Sequence, residues 1–387
     1  MKSKLVRGKS DWTSLNDANL SWNLIMKKFV KQIKYNLLEF LNIFEWTKSR
    51  FVTKFQILFG LSLNNIEILI HAENPYKSKF KVIDKYSELE HYSYLDFESK
   101  KLIGHTFQES YHLKISDVIL DARTGVLFTL DRKLISESSS WSPEYLSAST
   151  YTKPPRLNKG SKILGDRPLI SLSSNSFYHW LNEDLPHYLY LREKLSDPLT
   201  IVSMKRPSFV SDFLKSNAID YLEVQRYSIC RDFDFVTNKS NVGWPHSKDL
   251  AIIKKHFGIY FSELIPGKKI YISRVGDSRS PLFELELISL LQDHGWQVIN
   301  TGKMTLAEQV SVISSAEVLA GIHGAGLSGI NWMSPGAKVV EIGTDRFVRC
   351  FQRLANLNNV DFSRINYKND LLGLNITVRE LEKLGVL

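Results

Sequence analysis

The fold class follows from one stretch of the chain, Val318-Leu319-Ala320-Gly321-Ile322-His323-Gly324-Ala325-Gly326-Leu327-Ser328, which leads from an apolar strand through small residues into a helix. Glycines let the main chain approach a phosphate closely, and the N–H groups of a helix start, at its positive dipole end, form an anion site. We therefore expect an α/β lobe whose turn binds a diphosphate. The alternative is that the glycines only allow a tight turn between strand and helix and bind no ligand.

On both sides of this turn the pattern alternates between strand and helix. Strands are predicted at 269–273, 296–299, 318–322 and 339–342, and helices at 281–293, 306–316 and 325–333. This alternation predicts a parallel, doubly wound sheet. Ser280-Pro281 reads as a helix N-cap and Thr305 to Glu308 as a capping box, while Gly295 and Pro335-Gly336 end their helices.

The rest of the chain divides into two further parts. Residues 1–75 read as a basic helical extension, and 76–162 as short strands and hairpins with a Ser-, Thr- and Pro-rich loop over 136–155. An α/β rhythm begins with a strand at 168–172, a helix at 177–195 and a strand at 199–203, and a polar break near 238–246 ends it. The expected domains are the extension (1–75), a first lobe (76–240) and a second lobe (241–387).

Composition restricts the class of protein. The chain has 387 residues, 43% of them hydrophobic and 24% charged, which is typical of a globular enzyme with two α/β lobes. No run reaches the roughly 18 apolar residues of a membrane span. Cys230 and Cys350 are the only cysteines, which excludes a disulfide framework and a four-cysteine zinc site. We expect a cytoplasmic protein.

The net charge of +9 is concentrated in residues 1–60, where eleven Lys and Arg face four Asp and Glu. Two interpretations stay open. In the first, the segment binds an acidic partner or anionic lipid, peripherally on the inner face of the plasma membrane. In the second, it is a solvated helix that packs on the main body by its apolar face. No nucleic-acid-binding motif accompanies the charge, so nucleic acid is not an expected partner.

A second group of chemical residues lies in Tyr271-Ile272-Ser273-Arg274-Val275-Gly276-Asp277-Ser278-Arg279. Ligands of open α/β sheets bind at the carboxyl ends of strands, which is where Arg274 falls. Arg274 and Arg279 would neutralise a diphosphate there without a metal. The alternative is a surface loop whose arginines pair with nearby carboxylates.

A third group lies in Asn175-Ser176-Phe177-Tyr178-His179-Trp180-Leu181-Asn182-Glu183-Asp184-Leu185-Pro186. On a helix His179 and Glu183 share one face, so they are candidates for a general base and its orienting partner, with Asp184 as a further candidate. His187 would extend that face into a His/Glu/His metal trio, but we expect Pro186 to disrupt the helix. A backbone-bonded His beside a solvated acidic pair is the alternative.

Two other patterns compete for the assignment. Gly324-x-Gly326-x-x-Gly329, with Glu341 at the end of the next strand, matches the dinucleotide fingerprint, which makes an NAD(P)-dependent oxidoreductase the alternative function. However, this motif follows the third strand of its lobe rather than the first. Asp232-Phe233-Asp234 imitates a metal-binding acid pair, but in an alternating strand both acids would share a solvated face.

Taken together, these motifs resemble glycosyltransferase family 61, over roughly 161–344 and in the same order. The matching residues are Phe177 to Pro186, Tyr271 to Arg274, Glu284 with Glu286, Leu306 to Val310, His323 to Leu327, Pro335 to Ala337, and Val340-Glu341. Family members often carry more arginines after the Tyr-Ile-Ser-Arg strand, whereas here Ser280-Pro281 follows Arg279. Residues 1–160 match no motif.

The resemblance implies a GT-B architecture, with two Rossmann-like lobes facing a cleft, and metal-independent transfer with inversion at the anomeric carbon. It implies a nucleotide-sugar donor, expected to be a UDP-sugar, no cofactor, and a glycan or lipid-linked glycan acceptor in capsule or other surface polysaccharide synthesis. Glu183, His179 and Asp184 would supply or position the base. The donor would be held by Arg274, Arg279, His323, Gly324, Ala325, Gly326, Leu327 and Ser328, with Glu341 at the ribose.

Overall fold

The fold is described from a computed structural model for residues 80–130, 134–135, 138, 157, 163–165, 167–172, 174–237, 243–258, 267–277, 279–344, 347–367 and 372–387. The predicted basic extension, residues 1–75, lies outside the described residues, as does most of the predicted loop over 136–155.

Short strands fill the first half of the described chain, as the sequence predicted for 76–162. They are β1 (Phe80–Ser87), β2 (Glu90–Leu95), β3 (Leu102–Phe107), β4 (Ser110–Ile115), β5 (Val118–Asp121), β6 (Leu127–Thr129), β7 (Leu134–Ile135), β8 (Ile163–Leu164), β9 (Leu169–Ile170), β10 (Thr200–Ser203), β11 (Tyr221–Glu223), β12 (Tyr227–Cys230) and β13 (Phe233–Val236). One mixed sheet has the order β1-β4-β13-β9-β10-β11 and another β7-β6-β5-β12-β8, while β2 and β3 form a separate hairpin.

The parallel part of the first sheet is a βαβαβ unit. Helix α1, made of Phe177–His179, Trp180–Asp184 and Leu185–Lys194, connects β9 to β10, and α2 (Ser208–Ser216) connects β10 to β11. Helix α3 (Ser247–Phe257) follows β13 along the chain. The first half is therefore α/β in its centre, but antiparallel strands β1 and β4 complete the sheet.

Helix α1 continues through Pro186, so the predicted disruption is limited to a change of register in the turn before the proline. The turn Trp180–Asp184 is wound as a π-helix, in which the N–H of Leu185 donates to the carbonyl of Trp180. This wider turn accommodates a proline, which has no N–H for an ordinary helical bond. The helix then continues through Leu185–Lys194 with Pro186 in its first turn.

The second half contains the predicted parallel sheet. Its elements are β14 (Lys268–Ile272), α4 (Glu284–Asp293), β15 (Gln297–Ile299), α5 (Leu306–Ile313), β16 (Ala316–Ile322), β17 (Lys338–Gly343), α6 (Cys350–Leu357), β18 (Asp361–Asn366) and α7 (Gly373–Lys383). The strand order is β15-β14-β16-β17-β18. From β14 the chain goes first to the edge strand β15 and then crosses to β16, on the other side of β14. The topological switch point, where α/β sheets bind ligands, therefore lies between β14 and β16.

Three local predictions in this half have different outcomes. The capping box of Thr305 and Glu308 is present in full. Helix α4 starts at Glu284, not at Ser280-Pro281, because Pro281 begins a separate turn whose carbonyl accepts the N–H of Glu284. The predicted helix over 325–333 is a 3-10 helix, Ala325–Trp332.

The Asp232 and Asp234 side chains do not share a solvated face. Strand β13 lies between β4 and β9, and all four of its residues are buried, so neither of its faces is solvated. Asp234 is fully buried, 2.6 Å from His112 Nε2, and Asp232 precedes the strand and pairs with Lys114 at 2.9 Å.

One hydrophobic core extends through both halves. It contains Ile170 and Trp180 from the first half together with Ile270, Ile313 and Phe351 from the second. The described residues belong to one compact unit. The structure is thus a mixed α/β fold, and the predicted GT-B cleft between two lobes stays a prediction.

The packing of the 3-10 helix on α5 gives a test of the fold. A β-carbon on Gly329 would lie 2.5 Å from Ile313 Cδ1. We expect Gly329→Ala to destabilise the protein by about 1–3 kcal/mol through overpacking. Urea unfolding should show this loss, and Ile313→Val, which removes Cδ1, should reduce it. Gly258→Ala is the matched control, since a β-carbon there meets nothing within 4 Å; an equal effect of both alanines would contradict this account.

Candidate active site

Arg274 and Gly324 meet at the switch point of the parallel sheet. Arg274 follows β14 and donates from Nη1 to the His323 carbonyl at 2.6 Å, and Nη2 lies 2.6 Å from Asp277 Oδ2. A β-carbon on Gly324 would lie only 1.9 Å from Arg274 Nη1. Glycine is therefore required at 324 because the guanidinium occupies the space of a side chain.

A buried carboxylate holds the main chain of Arg274. Glu284, 1% exposed, accepts the N–H of Arg274 at 2.6 Å and the Tyr271 hydroxyl at 3.2 Å through Oε1, and the Ser280 hydroxyl at 2.5 Å through Oε2. The first turn of α4 thus fixes the loop that carries the arginine. Arg279 lies on the same loop, exposed, with its N–H bonded to Asp277 Oδ1 at 3.0 Å.

The small residues after β16 form the open end of the 3-10 helix. Gly324 is its N-cap, and the N–H groups of Ala325 and Gly326 belong to the first turn, where helices lack internal acceptors. Leu327 donates its N–H to the Gly324 carbonyl at 3.0 Å. The side chains of Leu327 and Ser328 are buried, so the predicted donor contacts fall to the main chain of Ala325 and Gly326.

His323 and Glu341 form a pair beneath this turn. His323 Nδ1 lies 2.6 Å from Glu341 Oε1, and the glutamate is completely buried while the histidine side chain is 27% exposed. Arg364 lies on the other side of the same carboxylate, with Nε 3.6 Å from Oε1. The carboxylate predicted to bind ribose is therefore engaged inside the protein.

His179 and Glu183 are paired as the sequence predicted. His179 Nδ1 lies 3.0 Å from Glu183 Oε1, which also accepts the N–H of Gly243 at 2.9 Å. Burial opposes protonation of His179, but the hydrogen bond to Glu183 and the charges of Glu183 and Asp184 outweigh it and raise the pKa of His179. Arg353 supports the pair through Gly243, because its Nη1 donates to the Gly243 carbonyl at 3.1 Å.

An aromatic stack supports this arginine. The Arg353 guanidinium lies 3.4 Å from the centre of the Trp244 ring, and His105 of the β2–β3 hairpin stacks on Trp244 at 4.0 Å. The segment that holds Glu183 is thus clamped between the hairpin and α6.

Packing brings the two groups of candidate residues together. The Phe351 ring lies 5.3 Å from His323 and 5.5 Å from Tyr178, which precedes His179. Buried Asn331, in the 3-10 helix, donates from Nδ2 to Asn182 Oδ1 at 2.8 Å, in the turn that carries Glu183. His179 and Glu183 therefore lie beside the glycine turn, although about 140 residues separate them from it along the sequence.

Asp184 lies on a different side of α1. Its Oδ2 accepts the N–H of Ser174 at 2.8 Å, and Arg206 lies near it. Burial, together with the negative charge of nearby Glu183, raises the pKa of Asp184 to about 6, whereas the hydrogen bond from Ser174 opposes this increase. Asp184 is thus separate from the His179–Glu183 pair.

The predicted metal alternative does not form. His187 contacts the Tyr86 ring at 5.3 Å and lies 4.0 Å from Asp249, away from His179 and Glu183. Within the part of the chain that the structure describes, no cluster of three or more His, Cys, Asp or Glu side chains could hold a metal ion. In the same part, no helix is both long enough and apolar enough to traverse a bilayer.

Several residues of the site were missed in the sequence. The sequence motifs include Glu284 but do not link it to Arg274, and no motif points to Gly243, Phe351, Arg353 or Arg364. Their contacts depend on strand order and on packing between the two halves. The helix-start carboxylate Glu284 was the one with a usable signal, because it follows a strand-end arginine in the same βα unit.

Comparison with known proteins identifies the class of this site. Residues 177–340 match the model of a glycosyltransferase family, described as Glycosyltransferase 61. A stretch of 163 residues is 24% identical to the β-1,2-xylosyltransferase RCN11 of rice, Oryza sativa subsp. japonica; it covers 41% of this chain and 29% of that protein. Residues 177–340, which carry His179, Glu183, Arg274 and the glycine turn, thus match a glycosyltransferase family model, in agreement with the resemblance that the motifs indicated.

The comparison with solved structures adds nothing to this assignment. The chain aligns with one of the dipicolinate synthase subunits of Bacillus halodurans at 11% identity and a TM-score of 0.16, over 51% of this chain and 69% of that one. A similarity this low supports no structural argument.

The raised pKa of Asp184 predicts a pH-dependent stability. A carboxyl whose pKa is higher in the folded state stabilises the fold when protonated, and this contribution is lost as the pH rises from about 4 through about 6. Asp184→Asn should remove this loss, so the variant should gain stability relative to the parent between pH 4.5 and 7.5 in urea unfolding. Asp293→Asn, at an exposed carboxylate, is the control. A pH-independent difference for Asp184→Asn would contradict the assignment.

Proposed function

We propose that this protein is an inverting, metal-independent glycosyltransferase that transfers a sugar from a nucleotide-sugar to a glycan acceptor. The observation that carries the proposal is the juxtaposition of the His179–Glu183 pair with the turn of Arg274, His323 and Gly324, through Phe351 and the Asn182–Asn331 bond. A base and an anion site side by side are the two groups that a single displacement on a nucleotide-sugar requires.

The donor diphosphate would lie at the switch point of the parallel sheet. Arg274 supplies a fixed positive charge there, and the N–H groups of Ala325 and Gly326 supply donors at the helix start. Arg279 lies exposed on the same loop, available to a ligand from the solvent side. As the bond between the anomeric carbon and the diphosphate oxygen breaks, these groups would stabilise the negative charge that develops on the leaving group.

Glu183 is the base in this proposal, and His179 is its partner. Both described contacts of the Glu183 carboxylate are made by Oε1. Oε2 would therefore take the proton of the acceptor hydroxyl while the hydroxyl oxygen attacks the anomeric carbon of the donor. Asp184 has the pKa of a useful base, but its carboxylate is directed to Ser174 rather than to the turn. Position therefore favours Glu183.

The finer assignments rest on the family resemblance. We propose a UDP-sugar as donor, a capsule or other surface polysaccharide, or its lipid-linked precursor, as acceptor, and a cytoplasmic location with residues 1–60 against anionic lipid. The family match does not favour the NAD(P)-dependent alternative. In the structure, Gly324 accommodates Arg274 and Gly329 accommodates Ile313, so two of the three fingerprint glycines have a role in packing.

The donor site is tested by calorimetric titration with UDP, GDP, CDP, CMP, NAD and NADP, each with and without EDTA. We expect one nucleoside diphosphate to bind regardless of EDTA. Arg274→Ala should weaken its binding by about 10- to 100-fold, as for the loss of a hydrogen bond to a charged group. Gly324→Ala should weaken binding by a similar factor because its β-carbon displaces the guanidinium. The double variant should bind no more weakly than either single variant. Binding of NAD or NADP alone would refute the proposal.

The base is tested with the donor that this screen identifies. Glu183→Gln should lower sugar transfer, or donor hydrolysis, by about 10²- to 10⁴-fold because no base remains, and should leave nucleoside diphosphate affinity unchanged. Asp184→Asn is the matched variant, one residue along the helix, and should retain activity within a few-fold. The reverse ranking would transfer the role to Asp184.

A further inference from the structure

The anion-binding turn is supported from below by a buried ionic group. His323 follows β16 and Glu341 lies in β17, which pairs with β16 in parallel register, and the N–H of His323 donates to the Ile342 carbonyl at 2.7 Å. Both the main chain and the ring of His323 are therefore fixed to β17. The ring contact, 2.6 Å from Nδ1 to Glu341 Oε1, ends on a carboxylate with no exposed surface.

Arg364 completes this group from the next strand. It pairs in register with Glu341 across β17 and β18, and its side chain is 2% exposed. Its Nη2 donates to the Thr344 carbonyl at 2.5 Å, and a β-carbon on Gly343 would lie 2.8 Å from that nitrogen. The guanidinium is thus enclosed, and its charge offsets the cost of burying the Glu341 carboxylate.

We propose that Glu341 and Arg364 are positioning residues that fix the tautomer of His323 and direct its Nε2 to the diphosphate. An ionised carboxylate only accepts hydrogen bonds, so Nδ1 must carry a proton toward Glu341 and Nε2 is left on the exposed side of the ring. This inference rests on the proposed function. It replaces the predicted ribose contact of Glu341, whose carboxylate is committed to His323.

With Nδ1 carrying the proton directed to Glu341, a hydrogen bond from Nε2 to a phosphate oxygen requires a second proton on the His323 ring. Glu341 stabilises the resulting imidazolium, as a buried carboxylate does for a catalytic histidine.

The charges that face His323 come from each neighbouring element. Glu341 and Arg364 lie in β17 and β18, and the Arg274 guanidinium rests on the His323 carbonyl. From α6 the uncharged Phe351 ring contacts His323. Cys350 of the same helix lies near Glu341, and burial raises the pKa of its thiol to about 12, so this thiol stays neutral.

The first test is the imidazole spectrum of protein labelled with ¹⁵N-histidine, with His323 assigned from His323→Gln. We expect His323 to be protonated at Nδ1 in the free protein and at both nitrogens after addition of inorganic pyrophosphate. His112 is an internal reference of opposite sense, because its bond to Asp234 is made through Nε2. A free His323 protonated only at Nε2 would overturn the proposal.

The second test is pyrophosphate affinity in Glu341→Gln and Arg364→Met. A positioning role predicts a loss of about tenfold in both, with the second protonation of His323 weakened. A ribose contact instead predicts unchanged pyrophosphate binding and weaker binding of the nucleoside, which would overturn the inference. If the parent protein binds neither pyrophosphate nor any nucleotide, the proposed function fails, while the spectrum of the free protein still decides the tautomer.

Discussion

The packing of the Arg274 guanidinium against Gly324 determines how the rest of the candidate site is arranged. The arginine occupies the space beside the turn, bonds the His323 carbonyl, and is itself held through its main chain by buried Glu284. The Arg274 guanidinium, which also pairs with Asp277, is therefore a built feature of the sheet and not a flexible surface group. A fixed charge needs little rearrangement when a ligand arrives, which is the property that electrostatic stabilisation of a leaving group demands.

A second arrangement connects this charge to the candidate base. Phe351 contacts both His323 and Tyr178, and the Asn182–Asn331 bond joins the turn of Glu183 to the 3-10 helix. Arg353, stacked on Trp244, holds Gly243 and through it the Glu183 carboxylate. Hydrogen bonds buried in this way are costly to leave unpaired, so they define one arrangement of the two halves rather than several.

Much of the second half could be predicted from sequence, because its signals are local. Strand and helix alternation, the Thr305–Glu308 capping box and the glycine turn each act within a few residues, and the parallel sheet was predicted correctly. Predictions failed where a neighbour decided the outcome. Pro186 is accommodated by a π-turn, and Asp234 is buried because other parts of the protein cover both faces of β13. The candidate site shows the same division. The pairing of His179 with Glu183 follows from helical spacing and was predicted, whereas the role of Glu341 depends on Arg364, which reaches it only through the order of β17 and β18. Strand order is a property of the whole sheet, and no short motif encodes it.

The hydrophobic core that continues from Trp180 to Ile313 and Phe351 has a consequence for substrate capture. A large separation of the two halves would expose that core to water and lose its packing. The distance between the His179–Glu183 pair and the glycine turn is therefore set during folding and not during each turnover. Substrates would have to enter by movement of loops around a preassembled centre, with the alignment entropy already removed when the chain folded.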